Sequence, residues 1–207
     1  MSTHIVISAV WPVYMSTDIV PVLANRLTSV LDAHFPGAWE IVLVEDGSSD
    51  ESWRSICRVC ELNSRIRGIK LSRNFGQHTA IAAGLDEVSG RTIVVMDCDL
   101  QDLPEEIPRL YRHLVDEPAD CIIALRTNRQ DSSLKMVGSS LFYWLLNFFK
   151  GMNLDKRAVN FGIYSHRFIR EVKRLREPDR SFPFIVKLPL NLSCTSTLTT
   201  VSIDARR

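Results

Sequence analysis

Short apolar runs recur along this chain, each followed by a helical pattern, and that alternation restricts the fold more than any other feature. Ile5–Val10 reads as a strand, and the helix after it carries Val20, Leu23, Leu27, Val30 and Leu31 on one face. Ile41–Val44 is a second strand, ending in the acidic turn Glu45-Asp46-Gly47-Ser48. Ser48 and Glu51 have the spacing of a capping box for a helix with Trp53, Ile56 and Cys60. Ile66–Leu71 is a third strand and Gln77–Val88 a helix of small residues. Thr92–Met96 (TIVVM) has the apolar character of a strand buried on both faces of a parallel sheet. A helix near Glu105–Val115 and a fifth strand at Cys121–Leu125 follow.

This βαβαβ rhythm predicts an α/β fold with a mostly parallel central sheet and helices on both faces. Right-handed crossovers carry the loops after the strands to one edge of the sheet, where ligands of open α/β folds bind. The polar clusters fall there: Asp46 after the second strand, Asp97 to Asp102 after the fourth, Arg126 after the fifth. Past residue 127 the pattern weakens. Leu134–Lys150 reads as an aromatic-rich helix, Ser165 as the cap of a helix with Phe168, Ile169, Val172 and Leu175 inward, and Thr195–Ile203 as a strand.

A length of 207 residues accommodates one such domain, taken here as residues 1–207. Lysine plus arginine number 25 against 24 acidic residues, so no global field favours nucleic acid or an anionic membrane. The five cysteines are scattered and odd in number, the pattern of reduced cytosolic thiols; Cys57 and Cys60 have CxxC spacing but no second pair to complete a zinc site. The start MSTHIVISAVWPVYM lacks the basic segment and cleavage site of a signal peptide. Leu141–Phe149 is far shorter than the ~20 residues that span a bilayer. A cytoplasmic chain with at most peripheral membrane contact is expected. That contact would run through Phe142, Trp144, Leu145, Phe148 and Phe149, flanked by Lys135 and Lys150; packing of the same face against the sheet is the rival reading.

The chemistry centres on Asp97-Cys98-Asp99-Leu100-Gln101-Asp102. An Asp-x-Asp at the end of a buried strand directs carboxylates out of the sheet edge, and hard oxygen ligands suit Mg²⁺ or Mn²⁺ beside substrate phosphates. Asp102 also fits a plainer role, pairing with Glu105 as a helix cap ahead of Pro104 in the first turn. Trp11-Pro12-Val13-Tyr14 is placed to pack a planar base, and Asp46 to accept from a base N–H or a ribose hydroxyl. The chain has neither GxGxxG nor GxxxxGK[ST], which counts against a dinucleotide fold or a P-loop kinase. A nucleotide held by paired carboxylates without a glycine cradle points to a metal on its diphosphate, with Arg126 as a second positive charge.

The blocks WPVYM, EIVLVEDGSSDES, LSRNFGQHTAIAAGLDEVSG and VVMDCDLQDLPEEIPRL resemble the signature blocks of family 2 glycosyltransferases. They are most similar to the polyprenyl-phosphate branch, which includes dolichol-phosphate mannose synthases and undecaprenyl-phosphate sugar transferases. The similarity runs on through ALRTNRQDSS and more loosely to RSFPFIVK. It implies a GT-A fold, a single Rossmann-like domain in which residues 1–126 bind the nucleotide sugar and 127–207 serve the acceptor. It further implies that Pro12, Tyr14 and Asp46 contact the nucleoside, that Asp97, Asp99 and Gln101 surround the metal, and that Arg126 touches the donor phosphates. Two departures stand out. Tyr14-Met15-Ser16 replaces the usual Tyr-Asn-Glu, removing an acidic contact to the nucleotide, and the sequence ends at Arg207 where branch members continue into further helices.

The implied reaction is an inverting transfer from a nucleoside-diphosphate sugar to a polyprenyl phosphate, or to a glycan hydroxyl. A lipid phosphate is already ionised and needs no general base; a hydroxyl does, and Asp102 is the candidate. Two other classes stay open: a nucleotidyltransferase, and a catalytically impaired nucleotide-binding module. A membrane-protein partner is a further expectation from the short C-terminal part.

Overall fold

A computed structural model of the protein describes residues 5–98, 102–117, 119–126, 158–174 and 199–203. In chain order the elements are β1 (Ile7–Val13), α1 (Ile19–His34), β2 (Trp39–Glu45), α2 (Ser52–Leu62), β3 (Ile66–Lys70), α3 (Gln77–Glu87) and β4 (Thr92–Val95). A 3₁₀ turn (Pro104–Glu106) leads into α4 (Ile107–Asp116), followed by β5 (Cys121–Arg126), β6 (Ala158–Ser165), α5 (His166–Arg174) and β7 (Thr199–Ile203). The expected aromatic run Leu134–Lys150, together with Asp99, Gln101 and Leu175, lies outside the described residues.

The strands form one seven-stranded sheet in the order β3-β2-β1-β4-β6-β5-β7. Pairing is parallel from β3 through β2 and β1 to β4 and again between β5 and β7, while β6 runs antiparallel to both β4 and β5. β4 and β5 therefore point the same way. The expected α/β sheet covered on both faces is the fold observed. β6 was not anticipated from the sequence: its alternation is interrupted by Asn160 and Gly162, and the tertiary pairing with two neighbours supplies what the local pattern lacks.

Successive residues of the central strands feed opposite cores. Ile7, Ala9, Trp11 and Val13 of β1, with Ile41 and Leu43 of β2, pack under α1, α2 and α4. Val10, Val42 and Val44 pack under α3 and α5. A fully buried Leu or Ile contributes about 1.5–3 kcal/mol, so these two layers supply the main driving force for folding. The small residues of α3 have a physical reason: a Cβ on Gly84 would lie 2.5 Å from Val10 Cγ1, so only glycine lets the helix come this close to β1. Ser165 caps α5 as expected, its Oγ accepting the Phe168 N–H at 3.1 Å. Of the Thr195–Ile203 strand, Thr199–Ile203 is observed, as β7.

Two helix starts differ from expectation. The Ser48/Glu51 capping box does not form: α2 begins at Ser52, and the side chain of its cap residue Glu51 makes no capping hydrogen bond, pairing instead with Arg54 of the helix at 3.5 Å. Asp50 Oδ1 accepts the Ser52 N–H instead, at 3.1 Å, and Ser48 Oγ is taken by the Met15 N–H at 3.0 Å. Likewise the cap position before the next helical turn is Leu103, not Asp102. Leu103 precedes the 3₁₀ turn without a side-chain cap, and Glu105 forms a salt bridge to Arg26 of α1 at 2.8 Å. In both cases long-range donors compete successfully for a side chain whose local partner is merely permitted by spacing.

Candidate functional site

Parallel pairing of β3, β2, β1 and β4 brings the four following loops to one edge, and they enclose a cleft of about 350 Å³. That volume suits a small-molecule site. Pro12, Val13, Tyr14 and Ser16 come from the end of β1 and its loop, Asp46 from the end of β2, Asn74, Gly76 and Gln77 from the β3–α3 connection, and Asp97 and Cys98 from the end of β4. The cleft sits where open α/β sheets bind ligands, beyond the carboxyl ends of the strands.

Asp46 is buried, with only 3% of its surface exposed. Its Oδ1 accepts the Phe75 N–H at 2.8 Å and its Oδ2 the Gly76 N–H at 3.0 Å. The expected ligand contact is thus also a structural tie, since each oxygen has a second lone pair for an outside donor. Across the cleft the Gln77 amide donates to Asp97 Oδ1, and the Asp97 backbone N–H donates to Asp102 Oδ2 at 3.0 Å. Asp102 is as buried as Asp46, at 3% exposure, and is not among the residues lining the cleft. Its carboxylate braces the start of the Asp-x-Asp segment.

Tyr14 stands half-exposed on the cleft wall, as a base-contacting residue would. Trp11 does not join it. Trp11 is fully buried under α1, because the strand runs to Val13 and its alternation turns residue 11 into the core. Ser16, at the position where an acidic residue was missed, is buried; its N–H donates to Ser52 Oγ at 2.8 Å and its Oγ to the Tyr14 carbonyl at 2.8 Å. Arg126 closes β5 and so reaches the same sheet edge by its backbone. Asp99 and Gln101 fall outside the described residues. The sequence reasoning missed Asn74 and Gln77 as cleft residues; the signal was the polar break Ser72-Arg73-Asn74 between the third strand and its helix.

By residue type, Asp97, Asp99 and Gln101 offer the hard oxygens that suit a divalent cation, and among the described residues no three His, Cys, Asp or Glu side chains gather as a metal site. Among the described residues no helix is long and apolar enough to cross a membrane.

The model of glycosyl transferase family 2 matches residues 8–174. An undecaprenyl-phosphate 4-deoxy-4-formamido-L-arabinose transferase of Salmonella choleraesuis (strain SC-B67) is 36% identical over 183 residues, which cover 88% of this chain and 55% of the relative. The chain therefore spans about half the length of the relative. Mannosyl-3-phosphoglycerate synthase from Rubrobacter xylanophilus superposes with a TM-score of 0.63 at 13% identity, over 97% of this chain and 66% of that one. A mannosyltransferase from Pyrobaculum calidifontis, solved with GDP-Man and Mn²⁺, gives 0.58 at 14% identity, over 83% and 47%. These neighbours share the GT-A fold. On the strength of the matched span, the relative and the four-loop cleft, the chain belongs to glycosyl transferase family 2.

Proposed function

We propose that this chain is the catalytic part of an inverting, metal-dependent glycosyltransferase that moves a sugar from a nucleoside-diphosphate donor to a polyprenyl phosphate. The observation that carries this reading is the pairing of Asp46 and Asp97 across one cleft built from four strand-end loops. Pro12 and Tyr14 line the wall against which a nucleoside base would lie, and Asp46 faces its N–H or ribose hydroxyl. Asp97, with Asp99 and Gln101, would hold Mg²⁺ or Mn²⁺, which when bound offsets the charge of the departing diphosphate. Arg126, at the same edge, would reach the donor phosphates. Residues 1–126 form the donor part in this reading and residues 127–207 the acceptor part.

An acceptor phosphate carries its own ionised nucleophile, so no residue has to remove a proton. The burial of Asp102 and its bond to the Asp97 N–H support this acceptor over a hydroxyl, for which Asp102 would serve as general base. The relative's acceptor, undecaprenyl phosphate, supports it as well. Work on such an acceptor would take place at the cytoplasmic face of a membrane, by peripheral contact or with a membrane-protein partner.

Thermal-shift titration with UDP, GDP and other nucleoside diphosphates, with and without Mn²⁺, tests the donor site. A ligand at a hundred times its dissociation constant stabilises by about 2.7 kcal/mol. Transfer from the matching nucleotide sugar to undecaprenyl phosphate is the expected activity. A protein that no nucleoside diphosphate stabilises, with Mn²⁺ present, would instead be an impaired family member, and release of pyrophosphate would identify a nucleotidyltransferase.

A further inference from the structure

The turn between β2 and α2 holds both walls of the cleft. On one side, Ser48 Oγ accepts the Met15 N–H at 3.0 Å and Ser52 Oγ the Ser16 N–H at 2.8 Å. Asp50 Oδ2 accepts the Thr17 hydroxyl at 2.8 Å and the Thr17 N–H at 3.4 Å. Three consecutive backbone N–H groups after Tyr14 are thus received by side chains of one turn. Met15 sits in the left-handed region at φ 49°, a conformation that costs free energy in a residue with a side chain and persists because its surroundings impose it. On the other side, Asp46 receives the Phe75 and Gly76 N–H groups. Gly47, at φ 66°, lies so close to that segment that a Cβ would come within 2.2 Å of the Arg73 and Asn74 backbone.

We propose that Asp50, Ser52 and Thr17 are positioning residues for the donor: they touch no ligand, and they set Tyr14 at the distance from Asp46 that a nucleoside requires. The inference rests on reading the cleft as the donor site. It also accounts for Ser16. With an uncharged side chain folded back on the Tyr14 carbonyl, Ser16 serves the wall's conformation.

Losing one such hydrogen bond changes the positioning of Tyr14 by an amount that should appear in binding as about a threefold to tenfold weakening. The test is a double-mutant cycle on nucleotide binding, with UDP and GDP titrated in the presence of Mn²⁺ against wild type, Tyr14→Ala, Ser52→Ala, Thr17→Val and each pair with Tyr14→Ala. Donor KM should rise with kcat preserved. In the Tyr14→Ala background, Ser52→Ala and Thr17→Val should have no further effect, because their influence passes through Tyr14. Thr17→Val is isosteric and keeps the fold if the buried Ser52→Ala does not. Weakened binding by Tyr14→Ala alone, or effects that multiply in the pairs, would overturn the positioning role and leave the donor site standing. Wild type and Tyr14→Ala that bind neither nucleotide would overturn the donor site itself, and the positioning role with it.

Discussion

At the amino edge of the parallel sheet, Glu40 accepts from Ser8 Oγ at 2.7 Å, from the Ser89 N–H at 2.7 Å and from Ser89 Oγ at 2.9 Å. Its other oxygen takes the Arg67 guanidinium at 3.0 Å. At the carboxyl edge, Asp46 accepts the Phe75 and Gly76 N–H groups, and Asp97 accepts the Gln77 amide. Both edges bury carboxylates: Glu40 meets a guanidinium, whereas the described partners of Asp46 are backbone amides. A carboxylate held by neutral donors keeps its negative field and fixes its direction, and at the carboxyl edge that field faces the cleft. Charge compensation by an internal cation makes a strut; orientation by amides makes a site.

The sharpest break between the edges is expected from Asp97→Ala and Asp99→Ala. Each should reduce transfer by at least about 10²–10³-fold, the scale of losing one group that stabilises developing charge. The melting temperature should stay level or rise as repulsion within the acidic segment is relieved. Metal-independent transfer by the wild type, or full activity of either variant, would break the comparison from the active side.

Glu40→Ala should do the reverse, with kcat/KM unchanged and a loss of about 3 kcal/mol in chemical denaturation, because it leaves the Ser8 hydroxyl and the Ser89 N–H and hydroxyl without their acceptor. Equal losses of activity and stability would mean that the two edges are not independent.

A smaller effect concerns acid. Burial pushes the Glu40 carboxyl up, but the bonds from Ser8, Ser89 and Arg67 outweigh it and hold the group below its ordinary 4.5. Asp50 behaves alike: desolvation raises it, and the bonds from Ser52 and Thr17 bring it below 3.8. For a lowered folded pKa the stabilisation is present above the ordinary value and is lost as pH falls through the folded one. Stability should therefore decline from about pH 5 downward, and Glu40→Gln should flatten that decline. An acid decline of melting temperature as steep in the Gln variant as in wild type would refute the assignment.

The smallest expected change is from Asp102→Asn. Asparagine still offers an oxygen to the Asp97 N–H, so turnover on polyprenyl phosphate should remain within about threefold of wild type, the lower end of one hydrogen bond's worth. A loss of about 10²–10⁴-fold at unchanged donor affinity would mean proton removal in the transition state, and hence a hydroxyl acceptor.

Much of this was legible in the chain. The apolar runs at Ile41–Val44 and Thr92–Met96 mark buried strands, and the polar clusters after them mark the edge that binds. The elements that escaped were those whose signal is not local. β6 carries Asn160 and Gly162 inside a strand and is legible only from its two neighbours. Gln77 reads as an ordinary first residue of a helix until the crossover sets it against Asp97. Trp11 belonged to a motif suited to a base, and the strand's two-residue period turned it inward.

The sequence by itself determined the alternating α/β architecture, the edge at which chemistry collects and the oxygen-rich donor set, because periodicity and residue type act over a few positions. Tertiary structure alone decided what each polar side chain does. Ser48, Glu51, Asp102 and Glu105 all had local capping partners at the correct spacing, and the observed partners are Met15 for Ser48, Asp97 for Asp102 and Arg26 for Glu105. A short polar side chain can satisfy several donors equally well, so its choice is made when packing of the two cores fixes which backbone segments arrive beside it.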